Sequence, residues 1–167
     1  MLLTHDGEPA AGFYDIVSFG LTIWTAGSCH NMRGRPSEQC DSHGFVLGGR
    51  FDLAFFGLAG PDSGRARVCD VGFKLGDRPR HVLVTFDAGA VTVFLDGKRA
   101  LDPTGFGRFD LSASDDAALV FGAPGPWSGS AEAVALYTGA LTAADAAAHY
   151  SAVAGRLAGR SPLPPIE

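Results

Sequence analysis

Residues 80–101 read RHVLVTFDAGAVTVFLDGKRAL, two alternating apolar runs joined by one sharp turn and followed by another. In the first run Val82, Val84 and Phe86 point one way and Leu83 and Thr85 the other; in the second, Val91, Val93 and Leu95 oppose Thr92 and Phe94. A period of two places each set on one face of a sheet. The glycines of Asp87-Ala88-Gly89 and Asp96-Gly97 supply the backbone freedom that tight hairpin turns need. The stretch is an antiparallel meander.

Working outward, short apolar runs recur about every 8 to 12 residues with no helix between them, which favours a sandwich or barrel over an α/β sheet. Upstream, Phe13 to Trp24 reads as two strands or one bulged strand, interrupted at Gly20. Phe45-Val46-Leu47 and Phe51 to Phe56 read as strands with Gly48-Gly49 as their turn, and Ala66 to Phe73 as another. Between them, Ala26 to Gly44 is a polar surface loop whose tip, Asn31 to Gln39, is the expected mobile segment; its length marks it as functional or disordered. Downstream of Leu101 a loop runs to Asp116, then Ala117 to Phe121 and Glu132 to Tyr137 read as the last strands. Thr142 and Asp145 resemble a capping box that opens one helix from Ala143 to Leu157, its apolar face carrying Ala146, His149 or Tyr150, Val153 and Leu157. The expected organisation is a flexible lead-in over 1–12, one domain over 13–158 and a Pro-rich tail over 159–167.

Composition bounds the function classes. A net charge of -5 provides no basic field to gather nucleic acid, so nucleic acid is not an expected partner. The 46% hydrophobic content is globular, far from the signature of disorder. No run approaches the ~18 consecutive apolar residues of a membrane span. The opening MLLTHDGEPAAG lacks the basic and apolar regions of a signal peptide, which leaves a cytoplasmic chain or a piece of a longer secreted protein. Of the three cysteines, Cys29 and Cys40 bracket the polar loop and fit a disulfide in an oxidising compartment; three unrelated reduced thiols is the equal alternative.

From Arg80 to Tyr150 the chain resembles the laminin G-like jelly rolls of the concanavalin A-like lectin and glucanase superfamily. His81 to Asp87 is similar to the family's "HVAVTFD" strand and Val93 to Lys98 to its "LYVDGK" hairpin. Leu119 to Gly122 matches a "LxlG" strand, Trp127 to Tyr137 the "W.G.I.EVALY" pattern, and Ala140 to Tyr150 the "ALS..EV..HY" pattern. Two departures stand out: Ser130-Ala131 where a larger residue is usual, and a short front end before Ile16 that points to a missing edge strand, a pairing liability if so. The resemblance implies an all-β, two-sheet antiparallel jelly-roll sandwich with one short C-terminal helix. It implies non-catalytic recognition of a glycan or a protein surface by an extracellular or periplasmic accessory module, with calcium as a possible ion; a structural spacer is a further alternative.

Glucanases on such folds hold two carboxylates across the scissile bond. Glu8, Glu38, Glu132 and Glu167 are the only glutamates; Asp6 alone stands near one, in the lead-in, and Asp115 and Asp116 would face opposite ways on a strand. A glycosidase or lyase is therefore the alternative and not the expectation. Cys29-His30 with Cys40 and His43 assembles two thiolates and two imidazoles, the donor set of a tetrahedral zinc site, but adjacent ligands fit poorly around one ion. Calcium needs several oxygens, and Asp62, Asp70, Asp115 and Asp116 are loop or strand-end candidates, the last two being the metal candidates retained. Neither a nucleophile elbow nor a phosphate-binding loop is present. Trp127 reads as a packing residue. Trp24, His43, Asp62 and Arg65 are the candidate ligand contacts, with the Ala26 to Gly44 loop, pinned by a Cys29–Cys40 bridge, as one wall of the surface.

Overall fold

The computed structural model describes residues 1–5, 13–19, 30–31, 35–36, 44–50, 53–59, 66–74, 78–105, 119–122, 127 and 129–158. Its strands in chain order are β1 (Leu2–His5), β2 (Phe13–Phe19), β3 (His30–Asn31), β4 (Arg35–Pro36), β5 (Gly44–Arg50), β6 (Leu53–Ala59), β7 (Ala66–Lys74), β8 (Arg80–Asp87), β9 (Ala90–Leu95), β10 (Lys98–Gly105), β11 (Leu119–Phe121) and β12 (Gly129–Glu132), followed by the helix α1 (Ala143–Ala158). The described architecture is all-β with one helix. The chain divides into two compact units, one of Met1–Gly7, Leu75–Thr104 and Ser128–Glu167, the other of Glu8–Lys74 and Gly105–Trp127.

In the first unit the sheet order is β10-β9-β8-β1-β12. The meander forms where the alternation places it, with Val82 opposite Leu95 and Asp87 opposite Ala90. Both of its turns have positive φ at the two central residues, Ala88 (47°) with Gly89 (86°) and Asp96 (51°) with Gly97 (74°), the type I′ form whose twist suits a two-residue hairpin. Val82, Val91 and Val93 are buried; on the alternate register Leu83 and Phe94 are cross-strand partners, buried in a cluster with Ala146 of α1, with Leu141 packed against it.

The helix begins as its capping residues require. Asp145 N–H donates to Thr142 Oγ1 (3.2 Å), and Thr142 N–H and Oγ1–H donate to Asp145 Oδ2 (2.8 and 2.7 Å), the reciprocal bonds of a capping box. The Thr142 hydroxyl and then its amide hold the Asp145 carboxyl below the usual carboxylate range. Ala146 is fully buried, while His149, Tyr150 and Val153 are half-buried on the same face.

Five elements differ from the sequence expectations. Where a flexible lead-in was expected, Leu2–His5 is a strand inserted between β8 and β12, pairing Leu2 with His81 on one side and Leu2 through His5 with Glu132 through Gly129 on the other. Leu3 is 2% exposed, and Met1 continues the pairing by donating from its α-amino group to Val82 O while Val82 N–H donates back to Met1 O, both at 2.9 Å. The alternation of four residues cannot announce such a strand, whose partners lie far along the chain. The last strand is Gly129–Glu132, not Glu132 to Tyr137: Ala133 takes φ 50°, which leaves the ladder, and residues 133–140 lie exposed outside any strand. The strand β10 runs on to Gly105, into the segment whose composition predicts a loop. The Ala26 to Gly44 segment, expected as a loop throughout, contains the β3–β4 ladder, with His30 opposite Pro36 and Asn31 opposite Arg35.

The fifth difference lies in the second unit, whose main sheet has the order β11-β2-β5-β6-β7. Gly48 and Gly49 do not turn the chain; they pair with Phe55 and Ala54 on one side and with Asp15 and Tyr14 on the other, and the ladder continues to Arg50 opposite Leu53. Buried strand glycines of this kind let neighbouring backbones and side chains close up. Phe13–Phe19 is one strand with a register shift between Asp15 and Val17, the bulged alternative of the two readings. Ile16, Val17, Val46 and Leu47 are buried, and Phe19 stacks on its cross-strand partner Phe45 with centroids 5.9 Å apart.

Candidate functional site

Trp24, Cys29, Cys40, His43, Asp62, Arg65, Asp115 and Asp116 all lie outside the described residues. Trp127 is half-buried beside Gly122, where an added Cβ would stand 3.6 Å from its Cε3, and its buried indole N–H has no hydrogen-bond partner among the described residues. Among the described residues no group of three or more His, Cys, Asp or Glu side chains is gathered as a metal site would need.

What the described residues do assemble is a cluster in the first unit where α1 meets the meander. It starts from the Asp96-Gly97 turn. Asp96 N–H donates to His81 O (2.8 Å) and His81 N–H donates to Asp96 Oδ1 (3.0 Å), while Arg80 Nε lies 2.9 Å from Asp96 Oδ2 in an ion pair that lacks the directionality of a hydrogen bond. These contacts fix the ends of β8 and β9 beneath the helix. Gly97 lies close enough to α1 that a Cβ there would meet Tyr150 Cβ at 2.9 Å and Ala147 Cα at 3.2 Å, so the turn and the helix touch backbone to backbone.

His81, 3% exposed, projects into this junction. Its ring lies 6.1 Å from Tyr150 and 6.5 Å from His149, and His149 in turn is held by Tyr137 in an edge contact at 5.4 Å. Burial, with the positive charge of the Met1 α-amino group and the neighbouring His149 added, outweighs the attraction of Asp96 and lowers the His81 pKa to about 4. The ring is therefore neutral at pH 7, and its buried Nδ1 has no hydrogen-bond partner among the described residues. The Asp96 carboxylate is spent on the His81 backbone amide and on Arg80, so it does not orient the imidazole as a catalytic base would require.

The outer end of this aromatic row is open. Tyr137 is 53% exposed with His149 against its edge, and it belongs to a run in which Val134 is 39% and Leu136 69% exposed. Large apolar side chains exposed together mark interaction surfaces more often than chance placement does. The arrangement is a half-exposed aromatic ring with an imidazole against its edge, on a strip without charge, a shape suited to stacking and apolar contact.

Sequence reading pointed to the polar loops and missed this surface. His81 and His149 are 68 residues apart in the chain, and the alternation of Val134, Leu136 and Tyr137 reads as a strand with one buried face. The available signal was the stretch from Ala133 to Ala144, which carries no charge at all.

No family model matches this chain, and neither does any curated protein. Among solved structures it is similar to the binding domain of Paraclostridial Mosquitocidal Protein 1, at 8% identity and a TM-score of 0.48, over 90% of this chain and 35% of that one. No residue role is carried over from that likeness.

Proposed function

We propose that this chain is a non-catalytic recognition module, an accessory domain of an extracellular or periplasmic protein built on a laminin G-like jelly-roll sandwich, and that it binds a glycan or a protein surface. The observation that supports the reading is the exposed Tyr137 ring braced by His149, with Val134 and Leu136 beside it. An aromatic side chain offers a large rigid contact area at low entropic cost, and its face accepts the apolar side of a sugar ring or an apolar side chain equally. Calcium, if the domain uses it, acts on ligand binding in the manner of the resembling family. The test is a glycan array probed with the wild-type chain and with Tyr137→Ala, each with and without calcium. Binding that is lost in the variant supports the reading and assigns the ligand to glycans. Binding untouched by the variant overturns the Tyr137 surface, and loss with a chelator alone assigns calcium a role.

A further inference from the structure

The helix α1 rests on the meander through a narrow footing. Among the described residues Ala146 alone of the helix is fully buried, in a cluster with Leu83 and Phe94, with Leu141 packed beside them. His81 lies two residues before Leu83 on the same strand and therefore on the same face, under the helix. An element held by so little apolar area is of the kind that opens locally while the rest of a fold persists.

His81 is 3% exposed at this footing, with its Nδ1 buried and without a partner among the described residues. From α1 it faces Tyr150 and His149, their ring centroids 6.1 and 6.5 Å away, with Asp145 acting on His149 from the first turn. From β1 it faces the positive Met1 α-amino group. Leu2 is the cross-strand partner of both His81 and Glu132, which puts Glu132 on the same face but two strands away, roughly 10 Å at ordinary strand spacing. From the β9–β10 turn it faces Asp96, whose carboxylate is bound to the His81 amide and to Arg80. An imidazolium formed here is a buried cation with an unmet donor, next to a second imidazole and an amino group. On the sheet side His81 is fixed by its backbone bonds to Asp96; on the helix side only packing holds the junction closed.

We propose that α1 is a proton-released helix: a proton on His81 opens the contact between α1 and the β8–β9 hairpin, and the helix leaves the sheet while the meander stays paired. Outside the junction the imidazole has the ordinary histidine pKa of 6.5, against about 4 within it. The released form therefore binds the proton more tightly. The advantage of the docked form is complete above pH 6.5 and is lost as the pH falls to about 4, a change of roughly 300-fold in the ratio of released to docked helix. The capping box does not fail first, because its bonds from Thr142 hold the Asp145 carboxyl below the usual carboxylate range and keep it ionised through that window.

The test is an NMR titration of the amides of the full chain from pH 7 to pH 4. The signals of residues 143–158 and of Asp96 and Gly97 are expected to leave their native positions together, while those of Val84 and Val93 in the hairpin keep theirs. His81→Phe and His81→Leu, which cannot take up the proton, are expected to hold α1 docked at pH 4. A wild-type helix still docked at pH 4, a helix and hairpin that lose their native signals at the same pH, or a folded His81 variant that releases α1 as the wild type does overturns the proposal; the wild-type titration decides even where neither variant folds. A glycan array read at pH 7, where α1 is docked, tests recognition through Tyr137 separately, so the failure of either leaves the other standing.

Discussion

Gly97 should be the least replaceable residue of the meander. Its φ of +74° is left-handed, which costs an L-residue about 1 kcal/mol or somewhat more. An alanine Cβ would also stand 2.9 Å from Tyr150 Cβ and 3.2 Å from Ala147 Cα, positions fixed to the helix backbone that cannot swing aside as a side-chain tip can. Relief requires α1 to lift from the turn, and forced overpacking of this kind costs roughly 1–3 kcal/mol. Gly97→Ala is therefore expected to destabilise the first unit by about 3 kcal/mol. The control is the same chemical change within the helix: a Cβ at Gly155 meets nothing within 4 Å, so Gly155→Ala should stabilise by about 0.5–1 kcal/mol. Urea melts followed by circular dichroism at the helix band compare the three chains. A Gly97→Ala variant that melts within about 0.5 kcal/mol of wild type would refute the close turn–helix contact on which the cluster rests.

Three further outcomes follow from the same structure. Leu3→Ala should cost about 2–5 kcal/mol in the urea melt, because Leu3 is a buried member of an inserted strand; no measurable loss would return residues 1–5 to the status of a loose lead-in. Stability should fall as pH drops from 6.5 to about 4, since the unfolded chain binds a proton on His81 that the folded chain refuses; the contribution is fully present above pH 6.5 and amounts to about 3 kcal/mol. His81→Phe keeps the ring volume and should flatten that slope in melts across the window, whereas an unchanged slope would exclude His81 as its source. A Cys29–Cys40 bridge would close the chain around the β3–β4 ladder, and it predicts one titratable thiol per chain under non-reducing, denaturing conditions; three thiols would eliminate it.

Local order was legible and long-range order was not. The meander could be read because Val82 to Leu95 repeats every two residues and its turns use residues adjacent in sequence. Thr142 and Asp145 announced the helix for the same reason, their bonds spanning three residues. By contrast Leu2–His5 owes its strand to His81 and to residues 129–132, far along the chain, so no local pattern could separate it from a tail. Gly48 and Gly49 misled because glycine marks a turn locally, while the neighbours on both sides keep them in a ladder. The Glu132 to Tyr137 alternation misled in the same way: the strand ends at Glu132, and the left-handed turn at Ala133, which leaves the apolar residues beyond it outside, is set by backbone geometry that residue type does not reveal. The candidate surface was hidden by the same causes, since it joins Tyr137 to His149 and His149 to His81 across three separate segments.

Tyr137 is the contact residue of the proposed recognition surface. The most direct measurement is the ratio of array binding between the wild-type chain and Tyr137→Ala, with Tyr137→Phe alongside to keep the ring. A lost stacking contact of ~0.5–1.5 kcal/mol lowers binding by roughly 2- to 12-fold in the alanine variant and leaves the phenylalanine variant near wild type. Equal binding by all three chains would contradict it.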